Sequence, residues 1–193
     1  MVDLSTEYLG LKLKNPIIVG SSGLTSSAKK VKSAEEHGAG AVVLKSIFEE
    51  EIAHEFKDFM EKASAGGSAP QYFEYEGRQN PIEFYDYKLR EDNLIKYIAL
   101  IEESKKSVSI PVMASINCYY HSADWMAYAK HLAQAGADAL ELNMFFLPSN
   151  FSRTKEDTER LYFQVIENVL KEVSIPVALK ISPYFTDLGP MIQ

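Results

Sequence analysis

Two lysines stand where apolar runs end: Lys45 after Ala39-Gly-Ala-Val-Val-Leu44, and Lys180 within Ile175-Pro-Val-Ala-Leu-Lys-Ile-Ser182. Runs of this length and composition suit fully buried parallel strands, which deliver their last residues to the ligand side of an α/β protein. Three further runs end in polar residues as well. Ile17-Ile-Val19 leads into Gly20-Ser21-Ser22-Gly23, Ile110–Ile116 into Asn117, and Ala137–Leu142 into Asn143. A rim of lysines, amides and a small-residue turn offers fixed donors to a polar ring system carrying partial negative charge. A lysine in such a place could also form a Schiff base with a carbonyl substrate, given an environment that frees its amine. Either lysine alone is explained by snorkelling to water. The matched set of strand ends favours a site, with Lys180 and Lys45 as its catalytic candidates. No metal centre is expected, because Glu49, Glu50 and Glu51 read as a solvated helix start.

Composition narrows the partners. With 46% hydrophobic and 24% charged residues, the 193-residue chain can bury a sizeable core. A net charge of -7 argues against nucleic acid or an anionic membrane and leaves a small-molecule substrate. The single cysteine, Cys118, fits a reducing compartment. No apolar run approaches membrane length, and no basic stretch followed by an apolar one opens the sequence, so a cytoplasmic location is expected.

The rim's supporting elements lie between these runs. Residues 5–14 alternate around Gly10 as a hairpin with one wet face. Ser26 or Ser27 caps a helix with Val31 and Ala34 inward, which stops at His37-Gly38. Residues 47–88, with the small-residue stretch 63–70 and many aromatics, read as a lid or binding loop. A helix over 91–106 buries Leu94, Ile95, Ile98 and Ile101. Another starts at Ser122 or Asp124 and carries Trp125, Ala129 and Leu132. A third, over 154–173, buries Leu161, Val165, Ile166, Val169 and Leu170.

Two internal echoes set the architecture. Ser109-Ile-Pro-Val returns as Ser174-Ile-Pro-Val, and His37-Gly-Ala-Gly-Ala-Val-Val-Leu-Lys45 resembles Ala135-Gly-Ala-Asp-Ala-Leu-Glu-Leu-Asn143. Strands and helices alternating this regularly predict a (β/α)8 TIM barrel, with a doubly wound sheet as runner-up. Only five strands are found, against a full barrel of about 250 residues. Residues 1–193 are therefore expected to be the N-terminal part of a single barrel domain, truncated after about five strands. Open edges at the first and fifth strands would invite pairing, so a homo-oligomer is expected.

The segments Tyr8–Pro16, Val43-Leu-Lys-Ser46, Pro111–Ile116, Gly136–Asn143 and Leu179–Phe185, in this order, resemble the dihydroorotate dehydrogenase family, class 1 above all. They also resemble the pyrimidine-reducing domain of dihydropyrimidine dehydrogenase. The resemblance implies FMN as cofactor, with Gly20, Ser21, Ser22, Lys45, Ser46, Asn117 and Lys180 contacting it, and Lys45 and Asn143 at the substrate. Lys180 matches the lysine beside flavin N1 and the C2 carbonyl, where a fixed positive charge stabilises the reduced flavin. The implied reaction removes a proton from C5 of dihydroorotate while hydride passes from C6 to the flavin. The family's base is a cysteine or serine three positions after the asparagine, and Phe146 stands there in this sequence. A phenyl ring cannot accept a proton. Ser149, Ser152, Tyr119, Tyr120 and His121 are the nearby substitutes, and Asn80 is the best match to the family's substrate-loop asparagine. The family's phosphate-binding loops, after strands seven and eight, have no counterpart here, which predicts weak FMN binding. A catalytically silent partial barrel that associates with itself is the alternative from another class, and a Schiff-base aldolase-like barrel is the third.

Overall fold

The computed structural model describes residues 2–48, 81–117, 122–145, 154–183, 185 and 188–192, with the side chains of residues 48, 81–91 and 122–125 left out. The expectations placed on Glu49–Glu51, the 63–70 stretch, Asn80, Cys118, Tyr119, Tyr120, His121, Phe146, Ser149 and Ser152, and on the Trp125 side chain, lie outside that set.

A hairpin comes first, β1 (Thr6–Tyr8) against β2 (Leu11–Leu13), antiparallel. Leu9 and Gly10 both have positive φ, 53° and 73°, which matches the twist of a two-residue hairpin turn. The parallel sheet then takes β3 (Ile18–Val19), β4 (Ala41–Val43), β6 (Val112–Asn117), β7 (Ala139–Met144) and β8 (Val177–Ile181), with the short β5 (Ile47–Phe48) also pairing β6. Strand order follows chain order, and each of these pairings is parallel. A doubly wound sheet reverses direction at a switch point. This sheet does not, so it has the winding of a (β/α) barrel.

The helices are α1 (Ala28–Glu36), α2 (Pro81–Ser107), α3 (Ser122–Gln134), α4 (Lys155–Glu172) and the short α5 (Leu188–Met191). Ser27 caps α1 by accepting from the Lys30 N–H at 3.4 Å, and Thr154 and Asp157 form a capping box on α4. Gly38 and Gly136, equivalent in the internal echo, end α1 and α3 with φ of 98° and 95°. Residues 81–88, assigned to a loop from sequence, are instead the first turns of α2, which opens on a proline suited to a first helical position.

Strand alternation separates two cores. Val42, Leu44, Val112, Ala114, Ile116, Leu140, Leu142 and Met144 pack outward with Val31, Ile101, Ala129, Leu132, Val165 and Val169 of the helices. Ala41, Val43, Met113 and Ala139 face the other way and are closed below by Leu13 of the hairpin, with Leu9, Leu11 and Ile18 around it. The hairpin therefore plugs one end of the inner face and leaves the other end to polar residues.

Two expected core positions are corrected. Ile95 is 57% exposed and Leu170 53%, while Tyr97 and Tyr162 are buried in their place. Tyr162 lies with its ring 5.1 Å from that of Phe185.

Carboxylates hold the turns at the closed end. Asp138 accepts from the Val112 N–H at 2.7 Å and pairs with Lys105 through both oxygens. Glu35 accepts from the Ser109 hydroxyl (2.7 Å) and from the N–H groups of Ser109 (2.8 Å) and Ile110 (3.2 Å). The Ser109 hydroxyl is the main cause holding the Glu35 carboxyl below its usual range, helped by the two N–H groups and the Lys14 charge and opposed by burial. A depressed folded-state pKa gives stability that is present above the unfolded value, about 4.3, and is lost as pH falls through the folded one. Urea midpoints should therefore drop on acidification below about pH 4.3 by more in the wild type than in Glu35→Gln. Parallel pH profiles for the two proteins would refute this.

Candidate functional site

The site begins with a break in a strand. Ile47 lies four positions after Val43, but their partners Met113 and Ile116 are only three positions apart. The extra residue is a β-bulge. It leaves both Lys45 and Ser46 between the outward-packed Leu44 and Ile47. The ladder is interrupted to match: Val42 N–H donates to Pro111 O and Leu44 N–H to Met113 O, but Ser46 N–H goes to Ser21 Oγ at 2.8 Å. The backbone of Ser115, next in that series, is taken up by Tyr97, whose phenol accepts from its N–H at 3.0 Å and donates to its carbonyl at 3.2 Å. Burial, chiefly, and the nearby Glu141 charge push the Tyr97 phenol well up, with its bond to Ser115 opposing. It stays a neutral donor, as this double role requires.

The bulge lines up hydroxyls from separate strands. Ser21 Oγ lies 2.9 Å from Ser46 Oγ, which lies 2.8 Å from Ser115 Oγ, which donates to Glu141 Oε1 at 2.8 Å. Lys180 Nζ donates to the same Oε1 at 3.0 Å. A carboxylate can only accept, so the proton order is fixed: Ser115 donates to Glu141, Ser46 to Ser115, and Ser21 to Ser46. Ser46 and Ser115 are buried, whereas the Lys180 side chain is 48% exposed and that of Glu141 14%. The line thus crosses the sheet from the turn after β3 to β8 and ends on a cation that reaches solvent.

The expected site residues distribute around this line. Ser21, Ser46 and Lys180 belong to it. Lys180 stands opposite Asn143 in register and reaches back to Glu141, two residues earlier on β7. Asn117 ends β6, half-buried, in register with Phe48. Gly20 is exposed in the turn, and a Cβ built on it meets nothing within 4 Å, so the space there is open. The Ser22 hydroxyl caps the following 3-10 turn by accepting from the Leu24 N–H at 3.2 Å. Lys45 is half-buried, its N–H donating to Thr25 O at 3.3 Å. Glu141, Ser115 and Tyr97 were not singled out from sequence. Ser115 and Glu141 could have been, since each lies two residues before an expected rim asparagine and so shares its face.

A singly wound parallel sheet, plugged at one end and lined with polar side chains toward the C-terminal ends of its strands, is the arrangement of part of a (β/α) barrel, in which active sites sit at that end. The family model for dihydroorotate dehydrogenase matches residues 3–192, and the chain belongs to that family. It is similar to the catalytic subunit of dihydroorotate dehydrogenase B (NAD(+)) from Thermoplasma acidophilum, 27% identical over 97% of this chain and 57% of that protein. The same subunit from Methanosarcina acetivorans is 30% identical over 93% of this chain and 53% of its own length. Chloroplastic dihydropyrimidine dehydrogenase (NADP(+)) from Arabidopsis thaliana is 26% identical over 96% of this chain and 44% of its own. The chain spans about half the length of these curated relatives. Among the described residues, no helix is long and apolar enough to cross a membrane.

Proposed function

We propose that residues 1–193 are the N-terminal part of one FMN-binding barrel domain, serving an oxidoreductase that oxidises dihydroorotate or a related cyclic substrate in cytoplasmic pyrimidine synthesis. The observation that carries this reading is the meeting of a family-wide match with a half-exposed Lys180 at the open end of the inner face. The residues present fit the cofactor: Lys180 would meet the N1 and C2 carbonyl edge, and the open turn at Gly20 and Ser21 would take the ring's approach. Bound FMN would supply the hydride acceptor. Lys45, Ser46 and Asn117 complete the proposed cofactor contacts with Ser22, and Lys45 and Asn143 those of the substrate.

The exposed apolar residues Ile17 (62%) and Leu24 (69%), beside an apolar cleft of about 310 Å³ between β3 and α1, support self-association along the β3 edge. The Schiff-base reading is weaker: imine-forming lysines are served by apolar pockets or neighbouring cations, and Lys180 faces a carboxylate.

The deciding experiment is the absorption spectrum of the purified protein after equilibration with FMN, followed by addition of dihydroorotate. With FMN in large excess, bound flavin that is bleached by substrate is the expected result. Colourless protein that takes up no FMN overturns the reading and favours the silent, self-associating barrel. If loss of the base limits turnover, Phe146→Cys should raise dihydroorotate oxidation by the FMN-loaded protein about a hundredfold. An unchanged rate at full FMN occupancy would count against that.

A further inference from the structure

Lys180 and Ser115 share one oxygen of Glu141, at 3.0 and 2.8 Å. If Lys180 turns toward a ligand, the carboxylate keeps the Ser115 donor, itself held by Ser46 and, through it, Ser21. The anion then keeps one neutral donor, though not its counter-charge, and is not free to follow the lysine. We propose that Glu141 is a resident counter-ion for Lys180: it holds the ammonium when the rim is empty, and an incoming electron-rich ring must displace it. This makes Glu141 a positioning residue that sets how strongly Lys180 attracts its ligand, and it deepens the flavin reading on which it rests. The pair also faces the half-buried Asn143, in register with Lys180, and the buried Tyr97, whose phenol senses the Glu141 charge. No other charged group is hydrogen-bonded to this oxygen among the described residues.

Two substitutions carry opposite signs. Glu141→Gln removes the charge but leaves an amide oxygen that can still accept from Nζ and from Ser115. It should tighten FMN binding about threefold to fivefold, the size suited to a half-exposed pair. Ser115→Ala removes the competing donor and leaves the carboxylate to Lys180 alone, so FMN should bind about twofold more weakly. A merely structural role would weaken both.

The test is FMN titration of wild type and both variants by fluorescence quenching, with NMR of the Lys180 side chain in the FMN-free proteins, its Cε signal assigned by its loss in Lys180→Arg. A shifted Lys180 signal in Glu141→Gln together with tighter FMN binding is the expected result. Weaker or unchanged FMN binding by Glu141→Gln, with wild type binding normally, overturns the counter-ion while the flavin reading stands. If none of the proteins binds FMN the flavin reading falls, and the Lys180 signal alone decides: moved by Glu141→Gln, it supports the pair; unmoved, it overturns it.

Discussion

Gly40→Ala should destabilise the fold by about 3 kcal/mol, at the upper end of overpacking costs, although it adds a single methyl group. A Cβ on Gly40 would overlap the backbone carbonyl oxygen of Asn15 and come within 2.9 Å of its Oδ1. Neither atom can move cheaply. Asn15 donates through Nδ2 to Gly38 O at 2.8 Å and accepts from the Ile17 N–H at 2.9 Å. The Gly40 N–H in turn donates to Ile17 O at 2.8 Å. The added methyl would thus push apart the backbone junction that sets the register of β3 on β4. The internal echo sharpens the point. The equivalent position in the other copy of the echo is Asp138, whose carboxylate docks the start of β6. One repeat uses an aspartate to reach its neighbour, and the other uses a glycine to admit it. Urea unfolding followed by circular dichroism would show the loss as a lower midpoint with an unchanged slope. A midpoint within error of wild type would mean that the 15–17 segment yields freely, and that register is set elsewhere.

The same comparison shows why much of the fold was legible in the sequence. Each sheet strand is a short apolar run, and Gly38, Gly136, Pro111 and Pro176 punctuate the chain where helices end or strands begin. Alternation and punctuation are local signals, so winding order and the hairpin followed from them. What failed depended on partners distant in sequence. On α2 the apolar residues outnumber the buried stripe, and Tyr97 takes a core place because its phenol satisfies a backbone that a bulge elsewhere leaves open, while Ile95 faces solvent. The bulge itself has no local signature in Leu-Lys-Ser-Ile. It is visible only once β4, β5 and β6 are set in register. The candidate site was half legible for a related reason. Lys180 and Ser46 were found at strand ends, but Glu141, which decides what Lys180 does in this structure, sits one layer deeper inside a run that reads as apolar.

Lys180→Ala should lower the rate at which dihydroorotate bleaches bound FMN by about a hundredfold, the scale of removing one preorganised charge or donor at a reacting group. Stability should fall only modestly, because the lysine side of the pair is half-exposed and Ser115 still donates to the Glu141 carboxylate, which is 14% exposed. Two effects would contribute to the loss. The substitution removes a cation from the proposed flavin edge, and it also leaves Glu141 without its nearest positive partner, placing an uncompensated carboxylate beside the ring. A double-mutant cycle separates them. If the stranded carboxylate dominates, adding Glu141→Gln to Lys180→Ala should recover most of the rate. If the cation itself is what the chemistry needs, the double variant should stay as slow as the single one. Stopped-flow reduction under anaerobic conditions, with each protein saturated in FMN, gives both answers. A Lys180→Ala protein that reduces its flavin at the wild-type rate would remove Lys180 from the reaction and leave the Ser21-to-Glu141 line as a structural brace across the sheet.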